Sequence, residues 1–591
     1  MTHTNPATIT PPAHLHRLTR AALLAVLLLA VALSGCSAIG DLLWGTPETS
    51  AAQVAPTARP APTSIPAATA VPLVLPTPAA SVVTAEPTPS GPWLTGEVRV
   101  FPGPQHYIGD VLTVEVEVAN AELLGELLGD PPGATLAVND NVLEVEPFLA
   151  WSPLRENALV FRWAWDTAEA EAGAHRLTIS LPQEGGEAQT LRAQINLEPA
   201  ENRPTHERNA RWVQRLNNCC RISYLTGTAA ERDIAELDRA IDMAFDEVEA
   251  RLGMLAEDKP VQITLLDNIW GNGAFVSQDM VLSYVDRAYT NLDFNTTLRH
   301  EATHWTMRAV GTPQTPPLFS EGVAVYIAGG HYKAEPIPER AAALLSTDQF
   351  IPLRDLADNF WSYQHEIAYL ESAGLVAYLI ERYGLEDFMR AYGMESVAAD
   401  SDSEWLNAVF RRVYGAGLAQ IEREYRAWLS RRVPGAQTTD LELTILLFDT
   451  IRQYQALYAQ YQEALPTAQE AIAAGQVAEF MREPSSKYNV ALEAIFISAH
   501  EALHEGRYQE AEQLLRAAQA ALADGDFTRE PIAGYLRIIE RVGELGYEVQ
   551  RITLVGDEEA VVEAIQLWPQ LRTLHMVYDG EQWQLVEPVE P

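Results

Sequence analysis

The chain has 591 residues, of which 41 are basic and 80 acidic, giving a formal net charge of −39. A chain of this length is too long for one hydrophobic core, and a prior of about 150 residues per domain predicts three or four domains. So acidic a surface repels phosphate backbones, and no dense Lys/Arg run is present, so we expect no nucleic-acid partner.

Residues 1–36 have the pattern of an export signal. Arg17 and Arg20 precede the apolar run Ala21–Leu33, and "LSGC" follows, ending at Cys36. The run is too short and wrongly flanked to be a stable membrane span. We therefore exclude these residues from the fold.

This stretch resembles the bacterial lipoprotein signal with its lipobox. The resemblance implies that Cys36 is lipidated and becomes the mature N-terminus. It also implies an extracytoplasmic protein that is lipid-anchored to the bacterial membrane, held by several acyl chains because one chain anchors only marginally. The alternative is an ordinary secretory signal with a chance cysteine.

Residues 37–92 are rich in Pro, Ala, Thr and Ser, as in "TARPAPTSIPAATAVP". Such a composition cannot build a core, and it predicts a disordered, extended linker that lifts the rest of the chain off the membrane.

Residues 93–200 alternate apolar and polar side chains, as in "DVLTVEVEVAN" and "ALVFRWAWD", with turn residues between the runs. This period of two predicts a β-sandwich, and the region resembles the immunoglobulin-like (Ig-like) modules of exported bacterial proteins. Trp163 and Trp165 share one face of a strand, and we expect them to lie in its core.

Residues 201–435 mix helical and strand patterns and predict an α+β domain. It holds Cys219 and Cys220, the two cysteines other than Cys36. Adjacent cysteines suit disulfide geometry poorly, so we expect two buried thiols without a bridge.

Residues 436–545 predict an α-helical region. The segment "ISAHEALHEGRYQEAEQLLRAAQAALADGD" indicates a helical hairpin and resembles a tetratricopeptide (TPR-like) unit, with Gly506, Tyr508 and Ala511 in the expected places. No fixed period establishes an array, but a protein partner could bind here. Residues 546–591 predict a small α/β tail, with a β-hairpin through Asp579 and Gly580.

His-Glu-x-x-His occurs twice, at His300–His304 and at His500–His504. On a helix the two histidines of such a motif lie one turn apart on one face, so both can reach one metal ion, and the Glu can reach a water on that ion. A catalytic zinc needs a third protein ligand and keeps its fourth position open.

The first motif has a third ligand available. The turn-rich stretch "GTPQTPP" breaks the helix, and a second helix begins at "LFSEGVAVYIAGG", with Glu321 in its first turn. After the second motif, Glu505 adds a charge, and no Glu-Gly pair opens a new helix. We therefore expect His500 and His504 to lie on a solvated helix face.

Residues 225–384 resemble the gluzincin metallopeptidases, in particular peptidase MA-like domains, through His300–His304, Ser320–Ala324 ("SEGVA") and a later helix with Tyr369, Ser372 and "YLIERYG". The resemblance implies a zincin-like fold and one Zn²⁺ per chain on His300, His304 and Glu321. Glu301 would then be the general base. An oxyanion donor would come from the later helix, as Tyr369 or His365, and we favour Tyr369.

Two departures from the gluzincin pattern stand out. Ser320 occupies the place where Asn often precedes the zinc-binding Glu, which leaves the ligand itself intact. The spacing of 17 from His304 to Glu321 is shorter than in thermolysin-like enzymes, so their substrate pocket does not transfer to this chain.

The sequence therefore predicts a membrane-anchored, extracytoplasmic zinc peptidase that hydrolyses a peptide or protein substrate. Glu301 would take a proton from a water activated by zinc and return it to the leaving amine. The alternative is a non-catalytic surface-binding lipoprotein, in which the peptidase-like domain is a zinc-free scaffold.

The anchor gives the first prediction. Cys36→Ala should release the protein from membranes, because the acyl chains would be its only apolar anchor. Fractionation of cells into membrane and soluble material measures this. A Cys36→Ala variant that stays with the membrane would contradict the lipid anchor.

Overall fold

A computed structural model describes residues 81–84, 94–103, 105–118, 134–143, 148–152, 158–181, 188–269, 273–290, 292–312, 314–395, 399–458, 475–482, 485–556 and 558–589. These residues contain nineteen strands and fifteen α-helices. The predicted signal with Cys36 lies outside the described ranges, and so does most of the predicted linker 37–92.

Ten strands form the N-terminal region: β1 Ser81–Thr84, β2 Leu94–Phe101, β3 His106–Tyr107, β4 Val111–Val118, β5 Thr135–Val138, β6 Asn141–Val142, β7 Phe148–Ser152, β8 Ala158–Asp166, β9 Gly173–Leu181 and β10 Gln189–Glu198. They build two five-stranded sheets, in the orders β1-β2-β4-β8-β7 and β3-β10-β9-β5-β6. Side chains from both sheets share one core, and Trp163 and Trp165 are buried in it, as expected.

The first strand corrects the linker prediction. Ser81–Thr84 lies inside residues 37–92, yet it pairs antiparallel with β2, with Val82 opposite Arg99. The β-branched run "SVVT" suits a strand and gains ladder hydrogen bonds from the sheet edge. At these residues the chain is already part of the sandwich.

The central region contains strands β11 Trp212–Leu216, β12 Cys220–Leu225, β13 Val261–Leu266, β14 Ala274–Val276 and β15 Met280–Ser283. Its helices are α1 Thr205–Asn209, α2 Ala229–Arg232, α3 Ile234–Leu252, α4 Phe294–Met307, α5 Pro317–Ala328, α6 Ile337–Ser346, α7 Leu353–Asp358, α8 His365–Tyr383, α9 Leu385–Tyr392, α10 Asp402–Val413 and α11 Leu418–Leu429. The sheet order is β11-β12-β13-β15-β14, with β14 antiparallel at one edge. This region is the predicted α+β unit, and its sheet and helices share one core.

Cys219 and Cys220 form a disulfide, which corrects the expectation of two free thiols. Their Cα atoms are only 3.7 Å apart, the unfavourable spacing on which that expectation rested. The turn before β12 holds them: the side-chain oxygen of Asn217 accepts hydrogen bonds from both backbone N–H groups. Both residues are buried, as expected.

The C-terminal region contains helices α12 Gln437–Tyr458, α13 Lys487–His504, α14 Tyr508–Asp524 and α15 Ile532–Glu544, then strands β16 Glu548–Leu554, β17 Glu559–Leu567, β18 Gln570–Tyr578 and β19 Trp583–Val589. The helical hairpin (α13 and α14) and the strand hairpin (β18 and β19) are both present. Residues 546–556 and 558–589 hold strands and no helix, so the predicted α/β tail is a four-stranded antiparallel sheet over the described residues.

Helix α12 belongs to two cores. Leu441 and Ile445 pack into the core of the central region, while Leu447, Phe448 and Ile451 pack into the core formed by the C-terminal helices and sheet. Within the described residues, no helix is both long and apolar enough to cross a membrane.

A buried ion network joins α12 to the central region. Arg340 of α6 is fully buried and contacts the carboxylates of Glu335, Glu366 and Asp440. Lys333 contacts Asp440 at 2.6 Å. Because the guanidinium compensates three buried carboxylates, its removal would leave uncompensated negative charge in the interior.

This network gives the second prediction. Arg340→Met should lower the Tm by about 10 °C, since breaking a buried ion pair is strongly destabilising. Without Arg340 the carboxylates have a higher pKa in the folded than in the unfolded chain. The loss of stability relative to the wild type should therefore grow as the pH rises. Calorimetry or circular dichroism measures both effects.

Arg516→Met is the matched control, because Arg516 is 61% exposed and pairs with Glu512 on the surface. It should change the Tm by about 1 °C or less. Equal small changes in the two variants would mean that the Arg340 network does not stabilise the fold.

Candidate metal centre

Helix α4 carries the first His-Glu-x-x-His motif into the core. Asp293 caps its N-terminus by accepting a hydrogen bond from the Thr296 N–H at 2.9 Å. His300, Glu301 and His304 are all buried. The helix ends at Met307, and α5 begins at Pro317, a residue suited to the first turn because its missing N–H would be unpaired there.

Glu321 on α5 faces the two histidines. The Nε2 atoms of His300 and His304 are 3.0 Å apart. The Oε2 atom of Glu321 lies 3.2 Å from Nε2 of His304 and 3.4 Å from Nε2 of His300. Within the described residues, these three form the one group of His, Cys, Asp and Glu side chains placed to hold a metal ion.

These distances fit zinc. In a tetrahedral site with bonds of about 2.0–2.1 Å, neighbouring ligand atoms are about 3.3 Å apart. Two imidazole nitrogens and a carboxylate oxygen at that spacing, buried together, present lone pairs to the same point. All three atoms could bind one cation at that point, so the residues present fit a zinc ion.

Burial and neighbouring charges act differently on these groups. Burial raises the pKa of Glu321, but the charges and hydrogen bonds of His304 and His300 outweigh it and hold this pKa below its usual value. Burial lowers the pKa of His300, which favours the neutral imidazole that binds metals. Glu321 is therefore held as a carboxylate and His300 as a base.

Glu301 lies beside these ligands without a partner of its own. Both of its carboxylate oxygens are buried and accept no hydrogen bond from the part of the chain that the structure describes. Burial, and then the charge of Glu321, raise its pKa well above the usual value. Such a carboxylate is suited to exchange a proton with a ligand in the site.

Gly322 allows α8 to approach α5. A Cβ atom at this position would lie 2.7 Å from the backbone oxygen of Ser372 on α8, too close for any other residue without a shift. This contact places Tyr369 against the site: its ring stacks on that of His300, with centroids 6.2 Å apart. The His365 ring lies 4.1 Å from that of Tyr369.

Two ring residues that the sequence pattern does not single out, His331 and Tyr332, follow α5. The His331 ring stacks on Tyr369 at 4.5 Å, and its Nδ1 atom is 2.8 Å from a Glu366 oxygen. The Tyr332 hydroxyl is 2.5 Å from Nδ1 of His365. In the sequence His331 and Tyr332 stand in "GGHYKAE", where two glycines precede two ring residues. This arrangement matches no spacing that is typical of a functional site.

The second His-Glu-x-x-His motif is more buried than the sequence predicts. His504 is exposed, but His500 is buried, which corrects the prediction of a solvated face for both. Burial, and then the charges of Lys333 and His504, lower the pKa of His500 to about 3. The reason is long-range packing: α13 lies against the segment after α5, and the helix pattern alone did not reveal this neighbour.

Comparisons with known proteins show weak structural likeness. No protein-family model matches the chain, and no curated protein matches it in sequence. Yeast LTA4 hydrolase in complex with bestatin is similar over 72% of this chain and 91% of its own, with 10% identity and a TM-score of 0.30. The native yeast enzyme gives the same coverage and TM-score with 9% identity.

An aminopeptidase N family protein from Idiomarina loihiensis is similar over 61% of this chain and 76% of its own, with 12% identity and a TM-score of 0.17. A likeness this weak carries no functional argument, so the function is inferred from the geometry of the site.

The site gives the third prediction. The purified protein should bind about one zinc per chain, as three-ligand sites do. His304→Ala or Glu321→Ala should lose the metal, because each removes one of the three ligand atoms. Elemental analysis by plasma mass spectrometry measures this.

The double variant His500→Ala and His504→Ala is the matched control and should keep its zinc. Loss of zinc from this control, with retention in His304→Ala, would assign the metal to the second motif instead.

Proposed function

We propose that this chain is a zinc-dependent peptidase that hydrolyses peptide bonds in a peptide or protein substrate. The observation that carries the proposal is the buried set of three ligand atoms at tetrahedral spacing, with the unpartnered carboxylate of Glu301 beside it. A structural zinc site has four protein ligands, whereas three ligands with an adjacent acid are typical of a hydrolytic site.

Zinc, when bound to His300, His304 and Glu321, supplies a Lewis acid that polarises a carbonyl and makes a water more acidic. Glu301 accepts a proton from the attacking water and donates it to the leaving amine. Its raised pKa suits it to hold that proton between the two steps.

Helix α8 offers donors to the oxyanion that develops on the substrate carbonyl. Tyr369, the residue favoured from the sequence, stacks on His300. His365 lies one turn earlier, and its Nε2 atom is buried without a hydrogen-bond partner in the described residues, which supports it as a second donor. Replacing each residue alone separates their contributions.

The other regions have roles in the same proposal. The lipobox at Cys36 would anchor the chain outside the cytoplasm. The sandwich, with its Ig-like pattern, would hold the peptidase away from the membrane. The TPR-like hairpin of α13 and α14 would offer a surface to a protein partner.

Hydrolysis gives the fourth prediction. The zinc-loaded protein should hydrolyse casein, and Glu301→Gln should lower the rate by about 1,000-fold or more, because it removes the proton acceptor but keeps the side-chain shape. Release of soluble peptides measures the rate, and elemental analysis confirms that the variant keeps its zinc.

A folded, zinc-free protein without hydrolysis would favour the scaffold alternative. Equal hydrolysis by the wild type and Glu301→Gln would exclude Glu301 as the base.

A further inference from the structure

Tyr332 makes a hydrogen bond to His365 that bears on which ring nitrogen of His365 carries the proton. The two side chains meet at 2.5 Å between the phenol oxygen and Nδ1. Burial, and then the charges of His331 and Arg452, lower the pKa of His365 well below its usual value, so the imidazole is neutral and carries one N–H. The partner of Nδ1 decides which nitrogen holds that proton.

A phenol is a better hydrogen-bond donor than acceptor, and a neutral imidazole nitrogen is a strong acceptor. A Tyr332 O–H that donates to Nδ1 leaves the proton of His365 on Nε2. That Nε2 atom is buried and has no hydrogen-bond partner among the described residues. Buried donors are nearly always paired, so an unpaired one calls for a ligand.

His365 lies one aromatic ring away from the candidate metal centre. Its ring is 4.1 Å from that of Tyr369, which in turn stacks on the metal-ligand candidate His300. The ring of His331 lies 4.9 Å from that of His365 and stacks on Tyr369, so the three rings are neighbours of one another.

The C-terminal helices hold Tyr332 in place. Its ring stacks on Phe448 of α12, with centroids 3.4 Å apart and planes 15° apart. His500 of α13 hydrogen-bonds to the backbone of Tyr332. The second His-Glu-x-x-His motif thus supports the segment that contacts His365.

We propose that Tyr332 is a positioning residue: held by α12 and α13, it keeps His365 in the Nε2–H tautomer that donates to the substrate carbonyl oxygen. The catalytic part of this inference rests on the proposed function. The tautomer itself does not, because it depends on contacts within the chain.

Two measurements on the full-length chain test the inference. The first is nitrogen NMR of histidine-labelled protein, with the His365 signals assigned by their loss in His365→Ala. We expect a protonated Nε2 and an unprotonated Nδ1 in the wild type, and a loss of this preference in Tyr332→Phe. A wild-type His365 protonated on Nδ1 would overturn the inference.

The second is a kinetic cycle with casein-derived peptides. Tyr332→Phe should lower kcat about tenfold with little change in KM, because the donor acts on the transition state. In the His365→Ala background the same substitution should have no further effect. Equal loss of kcat in both backgrounds would mean that Tyr332 acts through the fold, and would overturn the positioning role.

Tyr535→Phe is the matched control, since it removes another buried hydroxyl, bonded to Ser498 at 2.8 Å in the C-terminal region. It should leave kcat unchanged. A wild type without Glu301-dependent hydrolysis would overturn the proposed function and the catalytic part together, while the NMR result would still decide the tautomer.

Discussion

Three lone-pair donors meet in the interior of this protein, and the rest of the central region is arranged around them. His300, His304 and Glu321 place their donor atoms within 3.0–3.4 Å of one another at a buried point. The charges and hydrogen bonds of the two histidines hold Glu321 as a carboxylate, and a cation at this point would be bound by all three atoms. The helix cap at Asp293, the proline start of α5 and the close contact at Gly322 position helices α4 and α5, which carry these atoms.

The buried ion network of Arg340 contacts the residues that surround the candidate metal centre. Arg340 joins the segment after α5, helix α8 and helix α12 through three carboxylates. One of these, Glu366, also contacts His331, whose ring stacks on Tyr369. The ion network and the candidate metal centre therefore contact the same aromatic rings, so the orientation of these rings depends on contacts made by the C-terminal region.

The sequence predicted what is local and missed what is distant. The helix period predicts that His300 and His304 share one face of α4. The position of Glu321 followed from the break at residues 311–317 and from the resemblance to gluzincins. The contact of Arg340 with Asp440 spans 100 residues, and no periodicity announces it. The burial of His500 has the same origin. The bridge between Cys219 and Cys220 runs against the general geometric preference, and the turn that holds it depends on Asn217, whose side chain accepts from both backbone N–H groups.

Helix α12 has a consequence for how this protein could have been assembled from parts. Leu441 and Ile445 pack into the core of the central region, while Leu443, Leu447 and Ile451 of the same helix pack into the next core, so one continuous helix belongs to both. A recombination event between these regions would have to cut through that helix or carry it whole. The central region and its C-terminal companion are thus constrained to be inherited together, whereas no such shared helix ties the sandwich to either of them in the part of the chain described.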